Sequence, residues 1–163
     1  MWLLTVFLQW YSSQERLNHL VTTQTAGAAT GVLYGQQTSL ALANFPGPGR
    51  AFGDVPDFVR NYALVKLAAA RANRQLGALD GARAEAIATA CVEIAGGTHA
   101  SQFPSALLLG GGGTTTNMNV NEVIATRATE LAGTPVHPND HVNASQSTND
   151  TYPTTMAMTM LDL

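Results

Sequence analysis

The sequence predicts a mainly α fold. Apolar residues recur at intervals of three and four over long stretches. Asp, Pro and Gly punctuate those stretches where helices start and stop, and alanine-rich faces let helices approach closely. The chain has 163 residues, enough for one domain with a real core. Hydrophobic residues make up 45%, a globular share, but charged residues make up only 12%, about half the usual share. So little charge suits a chain that buries more surface than a lone small domain, by oligomerising or by packing on further sequence.

The elements follow in order. Residues 1–30 read as an atypical extension opened by the apolar run MWLLTVFLQWY. That run is too short to span a bilayer and lacks the features of a signal peptide, so a peripheral extension or a docking strand or helix is expected, not a membrane anchor. The N-terminal third reads as irregular and is closed by the turn-rich FPGPGRAFGD at 45–54. Asp54 can cap a helix with Pro56 in its first turn. Phe58, Tyr62, Val65, Ala69, Ala72 and Leu76 then form one apolar face, and Gly77 suits the end. Asp80 can cap a second helix carrying Ile87, Cys91 and Ile94, closed by Gly96 and Gly97, and the short connection makes the two an antiparallel pair. A third helix is predicted from about Asn119 to Leu131, buried through Val120, Val123, Ile124 and Leu131 and ended by Gly133 and Pro135. A fourth starts near Asn149 and Asp150, with Pro153 in its first turn, and carries Met156, Met160 and Leu161. It reads as a helix cut off in mid-stripe.

Charge and cysteine content narrow the partners. The net charge is −3 and Lys66 is the single lysine, so there is no basic patch for nucleic acid. Cys91 is the single cysteine, which rules out an internal disulfide and fits a reducing compartment, so a cytoplasmic location is expected.

The densest polar stretch runs from Gly110 to Asp150. Buried hydroxyls and amides cost free energy unless they are hydrogen-bonded, so such density fits a floppy loop or a site that grips a polar ligand; the helix in its middle favours the site. Gly110 to Asn117, GGGGTTTN, leads into a helix. It lacks the lysine of a phosphate loop, which leaves either an anion smaller than a nucleotide, such as a carboxylate, or a glycine hinge. Ser147, Thr148, Asn149 and Asp150 offer two hydroxyls, an amide and a helix cap; capping alone needs fewer of them. His137 and His141 are four apart, a zinc spacing on a helix, but Pro138, Asn139 and Asp140 between them argue for a turn and against a metal site.

Taken together, GGGTTTNMNVNEVIA, HPNDHVN and QSTND resemble the fumarase/aspartase superfamily, in its class II fumarase and aspartate ammonia-lyase branch. Tyr34-Gly35-Gln36-Gln37-Thr38, Asn44-Phe45 and the ALVKLAAARAN segment resemble that family's N-terminal domain, so the resemblance covers about 31–163. It implies a lyase N-terminal helical domain at 31–150 and the truncated start of a central helical bundle at 151–163. It also implies a homotetramer acting on small dicarboxylates, with active sites shared between subunits and no metal or organic cofactor. Members eliminate a group across a Cα–Cβ bond through an aci-carboxylate, stabilised by preorganised donors.

By position, Gly112, Gly113 and Thr114 resemble the family's first substrate-binding block, with Thr114 at a carboxylate. Ser147, Thr148 and Asn149 resemble the second block. His137, Pro138, Asn139 and Asp140 resemble a secondary dicarboxylate site. Gly112 replaces the usual Ser or Ala. The family's later serine loop has no counterpart here, so no catalytic base is assigned and the isolated chain is expected to be inactive, which leaves a non-catalytic fragment as one reading. Thr115 and the Ser147-Thr148 pair lean towards aspartate ammonia-lyase and His137 towards fumarate hydratase; aspartate ammonia-lyase is the expectation, with fumarate hydratase as the alternative.

Overall fold

The computed structural model describes residues 31–45, 49–108 and 113–162. Residues 1–30, and with them the expected extension, lie outside this set. Among the described residues five α-helices carry the fold: α1 (Gln36–Asn44), α2 (Pro56–Gln75), α3 (Gly81–Ala95), α4 (Thr114–Ala132) and α5 (Thr148–Leu161). Short 3-10 turns at Phe52–Asp54 and Ala100–Gln102 and a π-type turn at Pro138–Val142 join them. Among the described residues the β structure is one antiparallel bridge, Ala51 with Ala106, so the mainly α expectation holds.

α2 and α3 form the antiparallel pair that their short connection predicts. Arg74 meets Glu85 at 2.7 Å near the turn, and Lys66 faces Cys91 further along. α4 runs antiparallel on the far side of α3: Arg127 grips Glu93 through two hydrogen bonds of 2.6 and 2.9 Å, and Arg83 reaches Pro135 O at 3.0 Å. Burial alone would raise the Glu93 carboxyl, but hydrogen bonds from Arg127 and His99 outweigh it and hold it below the usual range. α5 crosses α2 at its N-terminal end. There Phe52 meets Phe58, Tyr62 and Phe103 edge-on at 5.0, 6.1 and 5.6 Å, and Tyr152 of α5 packs on Phe58 at 5.7 Å. Such edge-to-face pairs contribute about 0.5–1.5 kcal/mol each beyond their area.

The helix ends follow the sequence in part. Asp80 caps α3, accepting from Arg83 N at 3.0 Å, and Gly133 closes α4 at φ +65°. Asp54, by contrast, does not cap α2. Its carboxylate turns back to accept from Ala51 N at 2.9 Å and closes the 3-10 turn, leaving Val55 at the cap position. α4 starts at Thr114, five residues before the predicted Asn119, because its polar first turns have tertiary partners that outweigh weak propensity. The N-terminal third is not irregular throughout, since α1 lies within it.

α1 forms because Glu122 of α4 caps it from outside. The buried Glu122 carboxylate accepts from the backbone N–H of Gly35, Gln37 and Thr38 at 2.9, 2.9 and 3.0 Å and from the Thr38 hydroxyl at 2.6 Å. A carboxylate at a helix N-terminus satisfies its orphan donors and meets the positive end of its dipole. Gly35 is required here, because a Cβ would sit 2.8 Å from Glu122 Oε1.

The buried faces also shift from the predicted stripes. α2 buries Phe58, Tyr62, Lys66, Leu67, Ala70 and Asn73, whereas Ala72 is exposed and Leu76 is 81% exposed. Leu131 is 39% exposed, and Met156, Met160 and Leu161 face outward while Thr151 and Thr155 are buried. Polar residues hold these inward positions because each finds a partner; Asn73, for example, donates to Ala144 O at 2.8 Å.

Replacing Glu122 with Ala strands four buried or half-buried donors. The expected cost is about 3 kcal/mol, with amide exchange of α1 accelerated well ahead of α2 and α3. Hydrogen-exchange mass spectrometry of Glu122→Ala measures both, and unchanged protection of α1 would refute the external cap.

Candidate functional site

The two polar blocks meet where α4 and α5 begin. Gly113 stands at the α4 cap position with φ +82° and has no side chain of its own to cap the helix. A Cβ on Gly113 would run into the Tyr152 ring. Glycine is thus required twice, by the left-handed backbone and by the contact that lays the start of α5 against the start of α4. Ser147 caps α5: its Oγ accepts from Asn149 N at 3.2 Å, and Asp150 accepts from Ser147 N at 3.1 Å in return.

One side chain stitches the blocks together. Asn117, in the first turn of α4, donates to Thr148 Oγ1 at 3.2 Å and to Asn143 Oδ1 at 3.2 Å. Its own carbonyl oxygen accepts from the Tyr62 hydroxyl at 3.1 Å and the Thr151 hydroxyl at 3.3 Å. Thr114 and Asn149 are exposed at the two helix starts, and Thr148 is half-buried between them. Gly112 lies outside the described residues. The structure thus brings Gly113, Thr114, Ser147, Thr148 and Asn149 to one pair of adjoining helix N-termini, rich in neutral donors.

His137, Pro138, Asn139 and Asp140 form the predicted turn, wound as a single π-type turn. His137 Nδ1 accepts from Asp140 N at 3.2 Å, and His141 Nδ1 accepts from His137 N at 2.7 Å. The turn passes into the site through Asn143, whose N–H donates to Pro138 O at 3.0 Å. Among the described residues no three His, Cys, Asp or Glu come together as a metal cluster.

Beneath the loop lies a group that the sequence reading did not place in the site. Lys66 is fully buried, and its Nζ donates to Asn143 Oδ1 at 2.9 Å and Gln146 Oε1 at 3.0 Å. Asn121 Nδ2 adds a donor to the same Asn143 oxygen at 3.2 Å, while Asn121 Oδ1 is buried without a partner among the described residues. Burial pushes the Lys66 ammonium down to about 7, slightly offset by Cys91; burial pushes the Cys91 thiol up to about 12 and the Tyr62 phenol up as well. The signal was available: Lys66 falls one helical turn after Tyr62 and two after Phe58, on the inward face of α2.

A model of the lyase family matches residues 33–163. The chain belongs to this lyase family, within the fumarase/aspartase superfamily. It is 52% identical over 134 residues to a class II fumarate hydratase of Halobacterium salinarum, covering 79% of this chain and 28% of that relative. It is 48% identical over 128 residues to the class II fumarate hydratase of Thermus thermophilus, covering 76% of this chain and 28% of that relative. Among solved structures it is similar to a fumarate lyase:delta crystallin from Brucella melitensis (TM-score 0.77, 43% identity, 83% of this chain and 32% of that one). It is also similar to a class II fumarase from Schistosoma mansoni (TM-score 0.71, 39% identity, 81% of this chain and 29% of that one). The chain spans under a third of the length of these relatives.

These lyase relatives overturn the expectation of an aspartate ammonia-lyase. The structure shows why the residues behind that expectation carry little weight. Thr148 turns its hydroxyl inward to Asn117, a bond that serine or threonine makes equally, and Thr115 is half-buried in the first turn of α4.

Two outcomes are expected of this site. Gly113→Ala adds a left-handed strain of about 1–2 kcal/mol to the Tyr152 clash, so thermal unfolding falls and the near-UV signal of Tyr152 changes; an unaltered melt would contradict the contact. Lys66 releases its proton near pH 7 in the fold and at its ordinary 10.5 when unfolded, so the unfolded chain binds more protons between these values and stability rises with pH. Below pH 7 both states are protonated and this contribution is flat. Above the ordinary thiol value of 9.0 Cys91 acts in the opposite sense, because its folded thiol resists ionisation. The stability of the wild type relative to Lys66→Met therefore rises from pH 7 to 9, by at most about 1.4 kcal/mol per pH unit, in denaturant melts at stepped pH. A pH-independent difference would refute the buried cation.

Proposed function

We propose that this chain supplies a dicarboxylate-binding part of a class II fumarate hydratase. The observation that carries this reading is the stitching of two helix N-termini by Asn117 and Thr148, in a chain half identical to proteins of that name. Adjoining N-termini offer backbone N–H groups and positive dipole ends to a carboxylate, and neutral hydroxyls and amides add directed donors. In this reading Gly112, Gly113 and Thr114 receive one carboxylate of the substrate, while Ser147, Thr148 and Asn149 hold the rest. In the hydration direction water adds across the fumarate double bond, with its oxygen going to one carbon and a proton to the other. The negative charge that develops on the carboxylate is what preorganised donors stabilise. His137, Pro138, Asn139 and Asp140 form a separate dicarboxylate contact at the exposed turn.

Residues 31–150 then make up the lyase N-terminal domain, and 151–163 begin a central helical domain. The outward Met156, Met160 and Leu161 of α5 support assembly with other chains, as a homo-oligomer.

Calorimetry and thermal shift with fumarate, L-malate and L-aspartate test the reading, since a ligand that binds the fold raises its melting temperature. Fumarate and L-malate are expected to bind and L-aspartate to bind at least tenfold more weakly. Thr148→Val is expected to weaken fumarate binding about tenfold, or about 1.4 kcal/mol. Binding of L-aspartate alone, or of none of the three, would overturn the assignment.

A further inference from the structure

The single lysine of the chain is spent where no anion balances it. The Lys66 ammonium is fully buried and has no carboxylate within ion-pair distance among the described residues. An ammonium has three protons to donate, and two go to the neutral oxygens of Asn143 and Gln146. Buried charges are ordinarily paired, and leaving one unpaired costs several kcal/mol.

The acceptors of this cation belong to the loop that opens α5. Gln146 in turn donates to Val142 O at 2.9 Å and Ala144 O at 3.1 Å, and Asn143 donates to Gln146 O at 3.2 Å, so the turn folds around the ammonium. From Lys66 the contact runs through Asn143 Oδ1 and Asn117 Nδ2 to the Thr148 hydroxyl, in three hydrogen bonds of 2.9, 3.2 and 3.2 Å. Laid end to end these are shorter than the Debye length, about 10 Å at 0.1 M salt, and the path starts at a fully buried ammonium and stays half-buried, so solvent screens it only in part.

We propose that Lys66 positions the 143–149 turn and is the cation against which a dicarboxylate held there is balanced. The charge part rests on the dicarboxylate reading above; the positioning part does not. A dianion at the helix starts supplies the missing counter-charge, so binding draws a proton onto Lys66 when the free site has lost it. Among the described residues no other ionisable group competes nearby. Cys91 from α3 and Tyr62 from α2 face the ammonium, and burial keeps both neutral. The other elements present amides and hydroxyls: Asn117 and Asn121 from α4, Thr148 and Thr151 from α5. Acidic groups on those elements are already engaged, Glu122 with α1, Glu93 with Arg127 and Asp150 with Ser147 N. The histidines of the π-type turn are bound to its backbone, and Arg71 is exposed.

Two variants separate position from charge. Lys66→Met removes donors and charge. Asn143→Asp keeps an oxygen for the ammonium but gives it an internal carboxylate. Hydrogen exchange on the ligand-free chain is expected to show residues 143–149 opening at least tenfold faster in Lys66→Met, with α3 unchanged, and near wild-type protection in Asn143→Asp. Fumarate calorimetry in buffers of different ionisation heat, from pH 7 to 8.5, is expected to show up to one proton taken up by the wild type. Both variants are expected to show none and to bind at least tenfold more weakly. Unchanged turn exchange in Lys66→Met would overturn the positioning role. Fumarate binding without proton uptake, or full affinity in Asn143→Asp, would overturn the counter-charge. If the wild type binds no dicarboxylate, the proposed function and the counter-charge fail together, and the exchange result alone decides the positioning role.

Discussion

One carbonyl oxygen, Asn143 Oδ1, holds the architecture to its site. It accepts from Lys66 on α2 and from Asn117 and Asn121 on α4. Two lone pairs serve three donors, one of them charged, inside a core where an unmade bond to any of the three is costly. The consequence is geometric. The α2–α3 hairpin and α4 could pack through apolar faces alone at several offsets, but donors from two helices that must reach the same atom admit only one. The turn after Val142 is fixed by the same atom, and α5 starts where that turn releases it.

The fold uses the helix N-terminus in two opposite ways. At α1 the orphan N–H groups are consumed internally by Glu122, which makes a short polar helix part of the core. At α4 the cap position is Gly113, which has no side chain of its own to place over the first turn. Glu122 and the start of α4 belong to one helix, two turns apart: its middle anchors the N-terminal segment while its start carries the proposed carboxylate contact. At the starts of α4 and α5 the acidic residue in the first turns is Asp150, in its capping role, so the anion of the proposed reading would meet dipoles and donors and little like charge.

The sequence was most legible where a local rule decides the structure. Asp80 and Gly133 are caps, each set by residues within a few positions of itself, and a cap was also expected among Ser147 to Asp150, though Ser147 takes it where Asn149 or Asp150 was expected. The shared-face reading failed where a polar residue is buried through a distant partner. Choosing only apolar residues along α2 stepped past Lys66 and Asn73 and ended on the exposed Leu76. Asn143 lies 77 positions from Lys66, so no periodicity could pair them. α1 escaped for the same reason, since its cap lies on α4. Among the site residues, the blocks around Gly113 and Ser147 were visible as motifs, but the buried cation beneath them was not.

Specificity between leaving groups was the least legible property, and the geometry explains it. A dicarboxylate substrate of either lyase type carries the same two anionic ends, so residues that hold those ends are indifferent to what leaves. Thr148 shows this directly: its hydroxyl is turned to Asn117 and helps set the distance between two helix starts. In the proposed reading such a residue meets the carboxylate and the shape of the four-carbon chain. Discrimination of ammonia from water needs a group beside the reacting carbon, where an extra cationic proton donor is repelled or welcomed. A lone buried ammonium three hydrogen bonds below the loop acts on total charge, so it strengthens the binding of any dianion and disfavours a substrate that brings its own ammonium. On that electrostatic ground the proposed counter-charge role of Lys66 favours fumarate and malate, whose charge is −2, over aspartate, whose net charge is −1.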